Sequence, residues 1–397
     1  MGQPAREADP ERRPCGASGS RVVEARSSSS SNDLSTDDRS KGLLRFLDRR
    51  FTVIGRRIAA LLIGLLFLTP LGVLESAGPF RINGSAPLTI KFATLAPEGS
   101  TWMLTLREMD AELQQRSSGR IRFVFYPGGV LGDEIDVIRK IRIGQLHGGA
   151  FSGVGLGSVL PSVRVLELPL LFEGADDADF VTGRLEENFA RAFEKRGFVF
   201  LAFAEAGPVH IFSQNAIRRR QDLKGIKLWT WYGDPLAEAL FRTYQVTTVP
   251  LALPDVFPSL QTGLINAFYA PPLAAIALQW FNQVSYMSSQ WLTRAIGGML
   301  ISRSRWRTIP EDLRITLKDV AKKYARQVVV KTRRENQEAL TVLKRNGIQI
   351  VDLDPAERHH LLKASQRVWE DQAGRLYPRS LLDQVKSLLR QYRGKGS

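Results

Sequence analysis

The sequence predicts an α/β chain of two lobes, each a mostly parallel sheet flanked by helices, with a long amphipathic helix after them. Three observations predict it. Strand-like and helix-like periodicities alternate from residue 88, the alternation restarts beyond residue 207, and residues 310–346 keep one helical spacing.

In the first unit, Leu88, Ile90 and Phe92 alternate with Thr89, Lys91 and Ala93, the period of two expected of a strand. Residues 101–116 place Leu104, Met109 and Leu113 at helical spacing until Gly119 stops the pattern, and residues 121–126 predict a second strand. Pro127, Gly128 and Gly129 predict a turn, residues 134–143 a helix and residues 148–153 a third strand, so right-handed crossovers make the sheet parallel. A strand over 198–204 precedes the restart. The second unit has strands at 226–231, 247–250 and 264–270, a helix over 235–244 with Pro235 in its first turn, and a helix capped by Asp255 that runs to Thr262 before Gly263. Leu313, Leu317, Val320, Tyr324 and Val328 mark the long helix, whose many Lys and Arg residues read as a solvated outer face. Two such lobes imply a ligand cleft at the carboxyl ends of their strands.

The N-terminal region reads differently. Residues 1–41 are rich in Ser, Arg, Asp and Gly, and too poor in large apolar groups to offset the entropy of ordering, which predicts a disordered tail. Residues 42–78 read as a signal peptide or signal anchor: Arg45, Arg49, Arg50, Arg56 and Arg57 lead into the apolar stretch 58–74, and Ser76, Ala77 and Gly78 supply small residues for cleavage. Either outcome exports the rest of the chain to the periplasm. An uncleaved 58–74 segment is just long enough to anchor it in the inner membrane.

Composition and motifs exclude more than they assign. At 44% apolar and 24% charged the chain is globular, and its one cysteine, Cys15, rules out a disulfide framework or a thiolate zinc cluster. Of the net charge of +15, most belongs to the folded part, where 43 Lys and Arg face 31 Asp and Glu beyond residue 77. No stretch interleaves dense basic residues with aromatics, so nucleic acid is not an expected partner. Gly153, Gly155 and Gly157 resemble a dinucleotide fingerprint, but Ser158 follows them and no acidic residue closes a ribose site. His147, His210, His359 and His360 form no helical metal pair, and Ser152 sits between Ala150 and Val154 rather than in a nucleophile elbow. No cofactor, metal or catalytic residue is expected. The one pair that an exported lipid-modifying enzyme could use is His210 with Glu205, which reads more simply as a structural histidine near a hinge. A membrane-tethered scaffold using the basic helix is a third class.

The specialised segments are apolar. Trp229 and Trp231 lie two apart on one strand and face the same side, and Phe268, Tyr269 and Ala270 end a strand before Pro271 and Pro272. Both sit where the crevice is expected.

In register with these segments run Lys91-Phe92-Ala93-Thr94, Pro97-Glu98-Gly99-Ser100, Tyr126-Pro127-Gly128-Gly129 with Leu131-Gly132, Leu168-Pro169-Leu170-Leu171-Phe172, Asp222-Leu223-Lys224-Gly225-Ile226-Lys227-Leu228, and Leu260-Gln261-Thr262-Gly263. Over residues 88–350 the chain thereby resembles the DctP-like solute-binding proteins of tripartite ATP-independent periplasmic (TRAP) transporters. The resemblance implies a non-catalytic receptor of the two-lobed periplasmic binding protein fold, with a long helix spanning both lobes. It would close on one small-molecule solute and deliver it to the subunits of a TRAP membrane permease. It places lobe I at 88–207 plus 289–325 and lobe II at 208–288 plus 326–397, with crossovers near Gly207, near Ser288 and within the long helix.

The chain departs from the family where the family holds its ligand. The strand after the Lys-Gly-Ile-Lys motif usually carries an arginine that grips a solute carboxylate; Trp229 stands in its place. A second arginine aligns with Val209, or with His210 one residue on, and a polar Gln-Glu-Asn run becomes Phe268, Tyr269 and Ala270. Burying a carboxylate without a partner costs several kcal/mol, whereas an apolar cleft recovers about 25 cal/mol per Å² of apolar surface dried. The expected solute is hydrophobic or amphipathic, the alternative being an organic acid held by other residues. The candidate ligand-binding residues are Trp229, Trp231, Phe268, Tyr269, Ala270, Val209, His210, Glu205, Trp102 and Ser152. Arginine-poor members of the family are associated with a tetratricopeptide-repeat partner, which the resemblance extends to this chain as an expectation.

Overall fold

A computed structural model describes residues 86–394. The predicted tail and the signal or anchor segment, residues 1–78, lie outside the described residues. Among the described residues, no helix is long and apolar enough to cross a membrane.

The first unit forms as its periodicity predicts: β1 (Leu88–Thr94), α1 (Thr101–Arg116), β2 (Ile121–Tyr126), α2 (Glu134–Arg142) and β3 (Gly148–Ser152). Ser100 caps α1 by accepting from the Met103 amide, and Asp133 caps α2 by accepting from that of Glu134 at 2.7 Å. The glycine run then forms a short helix, α3 (Gly153–Val159), and α4 (Ala175–Lys195) follows a 3₁₀ segment over Pro161–Glu167. Next come β4 (Phe198–Ser213), β5 (Lys227–Trp231), α5 (Pro235–Thr243), β6 (Thr247–Leu251), α6 (Val256–Gln261), β7 (Ala267–Ala270) and α7 (Pro272–Ala277). The chain ends with β8 (Tyr286–Ser302), α8 (Arg303–Arg307), α9 (Glu311–Arg345), β9 (Gln349–Val351), α10 (Pro355–Gln372) and α11 (Arg379–Arg393).

The described strands form one sheet in the order β2-β1-β3-β8-β4-β7-β5-β6, with β9 paired to β8. β2, β1 and β3 are parallel to one another, as are β7, β5 and β6, so each half keeps the predicted parallel character. Two long strands correct the sequence reading. β4 continues past Ala204 to Ser213, and β8, which carried no predicted element, pairs with it antiparallel from Phe198↔Ser302 to Ser213↔Tyr286. Gly207 and Pro208 look like a stop, yet the ladder absorbs them through a register shift between Glu205 and Gly207. Two further shifts flank His210, opposite a bulge that Ser288 ties down by accepting from the Ile211 amide at 3.0 Å and donating to Gln290 O at 2.8 Å.

The predicted long helix is α9, about 50 Å of continuous helix. Its first half buries Leu313, Leu317, Val320 and Ala321 in a core with Met103 and Met109 of α1 and Phe92 of β1. Further along, Asn336 donates to Ala206 O on β4 at 2.9 Å and accepts from the Leu273 amide at 3.0 Å. A second core gathers Phe212, Trp229, Phe268, Trp280, Met287 and Leu343.

Candidate functional site

The carboxyl ends of β1, β3, β5 and β7 open on a cavity of about 410 Å³, where open α/β sheets place their ligands. Seven of the ten candidate residues line it: Trp102, Ser152, Val209, Trp229, Trp231, Tyr269 and Ala270. Phe268 lies behind the wall, stacked on Phe212 at 4.9 Å and edge-on to Trp280 at 5.2 Å. His210 is buried and meets Ser288 O through Nδ1 at 2.8 Å. Glu205 is held by Arg294 and, at 2.6 Å, by Arg333 of α9. His210 and Glu205 share no hydrogen bond and do not line the cavity.

The aromatic wall is built around Trp229. This side chain is 2% exposed, donates through Nε1 to Leu251 O at 3.1 Å, and stacks on Tyr269 at 5.1 Å with Trp231 and Trp280 at 5.8 and 5.2 Å. Two helix caps tie the wall down. Trp231 Nε1 donates to Asp133 Oδ2 at 2.9 Å, and Tyr269 Oη donates to Asp234 Oδ2 at 3.1 Å while accepting from the Trp231 amide at 3.2 Å. Asp234 Oδ1 also accepts from the Leu236 and Ala237 amides, capping α5. On the opposite side, Gly297 leaves room for the Trp102 ring, since a Cβ there would lie 2.6 Å from it.

Sequence reasoning missed the charged floor of the cavity. Arg164, 5% exposed, donates through Nη2 to Asp234 Oδ1 at 2.8 Å. Glu167 Oε2 lies 3.0 Å from Arg164 Nε but off the N–H direction, so the contact is an ion pair and Nε stays without a hydrogen bond. Glu167 Oε1 accepts from the Ile296 amide at 2.9 Å. Glu134 accepts from the Ser152 amide and hydroxyl at 2.6 Å each and from the Gly155 amide at 2.8 Å. The glycine run set aside as a failed dinucleotide motif is what admits these groups: a Cβ on Gly153 would overlap the Glu167 carboxylate, one on Gly155 would overlap Glu134, and one on Gly157 would lie 2.7 Å from Arg164 Cδ. An Arg and a Glu three apart inside the apolar run Val163, Val165, Leu166, Leu168 were the available signal.

Burial pushes Glu134 and Glu167 each up to about 7, against the opposing pull of the Ser152 hydrogen bonds on Glu134 and of Arg164 on Glu167. Both acids therefore hold a proton more tightly in the folded chain than in the unfolded one. Folding takes up protons between about pH 4.5 and 7, and stability falls as pH rises through that window. The melting temperature is expected to drop between about pH 5.5 and pH 8, with a shallower drop in both Glu134→Gln and Glu167→Gln. Equal slopes in wild type and both variants would contradict this assignment.

Comparison with known proteins agrees with the architecture. The family described as "DctP: Bacterial extracellular solute-binding protein, family 7" matches residues 92–375. A solute-binding protein of Roseobacter denitrificans is 27% identical over 299 residues, 74% of this chain and 89% of that protein. The sugar acid binding protein of Advenella mimigardefordensis, solved with galactonate, superposes with a TM-score of 0.73 at 18% identity, covering 77% of this chain and 98% of that one. A TRAP periplasmic solute-binding protein of Citrobacter koseri, solved with D-glucuronate, gives 0.68 at 23% identity over 75% and 98%. With two parallel half-sheets joined by β4 and β8, a cavity at their carboxyl ends and a family match over most of its described length, the chain belongs to the DctP family of TRAP-type solute-binding proteins.

Proposed function

We propose that this receptor captures a hydrophobic or amphipathic solute in the cavity and delivers it to a TRAP membrane permease without chemical change. The observation that carries the reading is Trp229, buried on the cavity wall against Tyr269, Trp231 and Trp280 where the family resemblance places a carboxylate-binding arginine. The solved neighbours with galactonate and D-glucuronate hold hydrophilic acids. The rings of Trp229, Trp231 and Tyr269 disfavour such solutes, because their polar atoms are already hydrogen-bonded and a hydroxylated chain lying on them would lose water without gaining partners there. Export through residues 42–78 places the receptor in the periplasm. A tetratricopeptide-repeat partner remains part of the reading on resemblance alone.

Capture involves closure of two lobes, 88–207 with 289–325 and 208–288 with 326–397, about the irregular stretches of β4 and β8. Gly207 has φ +120° and packs against Asn336, and the bulge at Ser288 interrupts the ladder, so bending there disturbs few regular hydrogen bonds. Titration with long-chain and aromatic compounds, followed by tryptophan fluorescence and small-angle scattering, tests both parts. Saturable binding with a smaller radius of gyration is expected. Binding of D-glucuronate but of no apolar compound would overturn the solute class, and binding without compaction would overturn closure.

A further inference from the structure

The polar atoms on the cavity wall are unevenly satisfied. The carboxylate oxygens of Glu134 and Asp234 and the hydroxyls of Tyr269, Ser152 and Thr293 all have hydrogen-bond partners, whereas Glu167 uses Oε1 on the Ile296 amide and holds Oε2 only in its ion pair with Arg164. Four N–H donors of the lining have no hydrogen bond among the described residues: Arg164 Nη1, Arg164 Nε, which is ion-paired with Glu167 Oε2, and the indole nitrogens of Trp102 and Trp280. Donors predominate among these unused valences, which calls for an acceptor on the ligand, and Arg164 Nη1, the charged donor with neither a hydrogen bond nor an ion pair, calls for an anion. Arg164 is also joined to the aromatic wall, since its partner Asp234 accepts from Tyr269, which stacks on Trp229.

We propose that Arg164 anchors the carboxylate of the solute through Nη1, so that the ligand is a monocarboxylic acid whose apolar body lies along Trp229, Trp231 and Trp102. This rests on the apolar-cleft reading above and adds its polar end. The anchor comes from the 3₁₀ segment before α4 and not from the strand that carries Trp229. Three glycines of α3 make room for Arg164, Glu167 and Glu134, which holds the guanidinium edge in place before a ligand arrives.

The charges around Arg164 set the conditions for this. Glu167 faces it from its own segment and Asp234 from the start of α5, with the Tyr269 hydroxyl against Asp234; Glu134 and Asp133 come from the start of α2. An entering carboxylate is tolerated beside Arg164 when Glu167 carries its proton, and burial already pushes Glu167 up to about 7. Affinity for the acid is therefore expected to weaken from about pH 6 to pH 8, and Glu167→Gln should flatten that change.

The test titrates the full chain with two matched pairs, dodecanoate against dodecanol and 2-naphthoate against 2-naphthalenemethanol, at about pH 6. Wild type is expected to prefer the acid of at least one pair by about tenfold or more. Arg164→Gln alone could fail to fold by leaving Glu167 and Asp234 buried without their cation; Asp234 keeps the Leu236 and Ala237 amides and the Tyr269 hydroxyl as donors, so the decisive variant is Arg164→Gln with Glu167→Gln, checked by thermal melt. It should bring the ratio of acid to alcohol affinity to within about twofold of one, while Arg164→Lys retains part of the preference. Equal binding of acid and alcohol by wild type, or a preference that survives in the double variant, would overturn the anchor and leave the apolar cleft standing. If no member of either pair binds, both fall together.

Discussion

Trp229→Ala is expected to lower stability and ligand affinity together. The side chain is 2% exposed and contacts Tyr269, Trp231 and Trp280, so its removal leaves a void that the surrounding rings cannot fill, at a cost of about 3–5 kcal/mol. It also releases Leu251 O from the indole N–H. An apolar ligand that rests on this ring should bind about 30-fold more weakly, or about 2 kcal/mol. Trp229→Arg should go further against apolar ligands, because it puts a cation among aromatic rings, and it should raise the weak affinity for small carboxylates. Full conversion is not expected, since Val209 and Ala270 are apolar as well. Melting curves and titrations of wild type and both variants, with a series from short dicarboxylates to long-chain acids, check this. A variant that melts early but binds apolar ligands with unchanged affinity would assign Trp229 to the core alone.

Gly153→Ala should be nearly as damaging through a side chain of one carbon. The Glu167 carboxylate lies directly over the Gly153 Cα, so a methyl group there must displace it. A displaced Glu167 gives up the Ile296 amide and its pairing with Arg164, and leaves charge stranded in a buried pocket, a loss of about 3 kcal/mol or more. The cause can be separated from ordinary helix effects by a double-mutant cycle. Alanine is the better helix former, so Gly153→Ala would stabilise α3 if nothing sat above it. Glu167→Ala removes the obstruction, and the double variant should be markedly more stable than the sum of the single effects allows. Additive losses would place the strain elsewhere.

The sequence by itself determined the local elements. Residues 101–116 and 121–126 appear as helix and strand at the predicted positions, because periodicity, the Ser100 cap and the Gly119 stop act within a few residues of each other. The aromatic wall was also legible, since Trp229 and Trp231 share a face at the carboxyl end of β5 whatever surrounds them. β8 was not legible. Its bulges and its passage between the two half-sheets break the period of two, and its pairing with β4 is decided by residues far away in the chain. The charged floor belongs to the same class. Arg164 and Asp234 are 70 residues apart, and neither has a reason to be buried until the fold sets the two against each other. Their ionic pairing, the space above three glycines and the leftover donor on Arg164 are consequences of tertiary packing, because a buried charge is tolerable only when the whole fold supplies its partners.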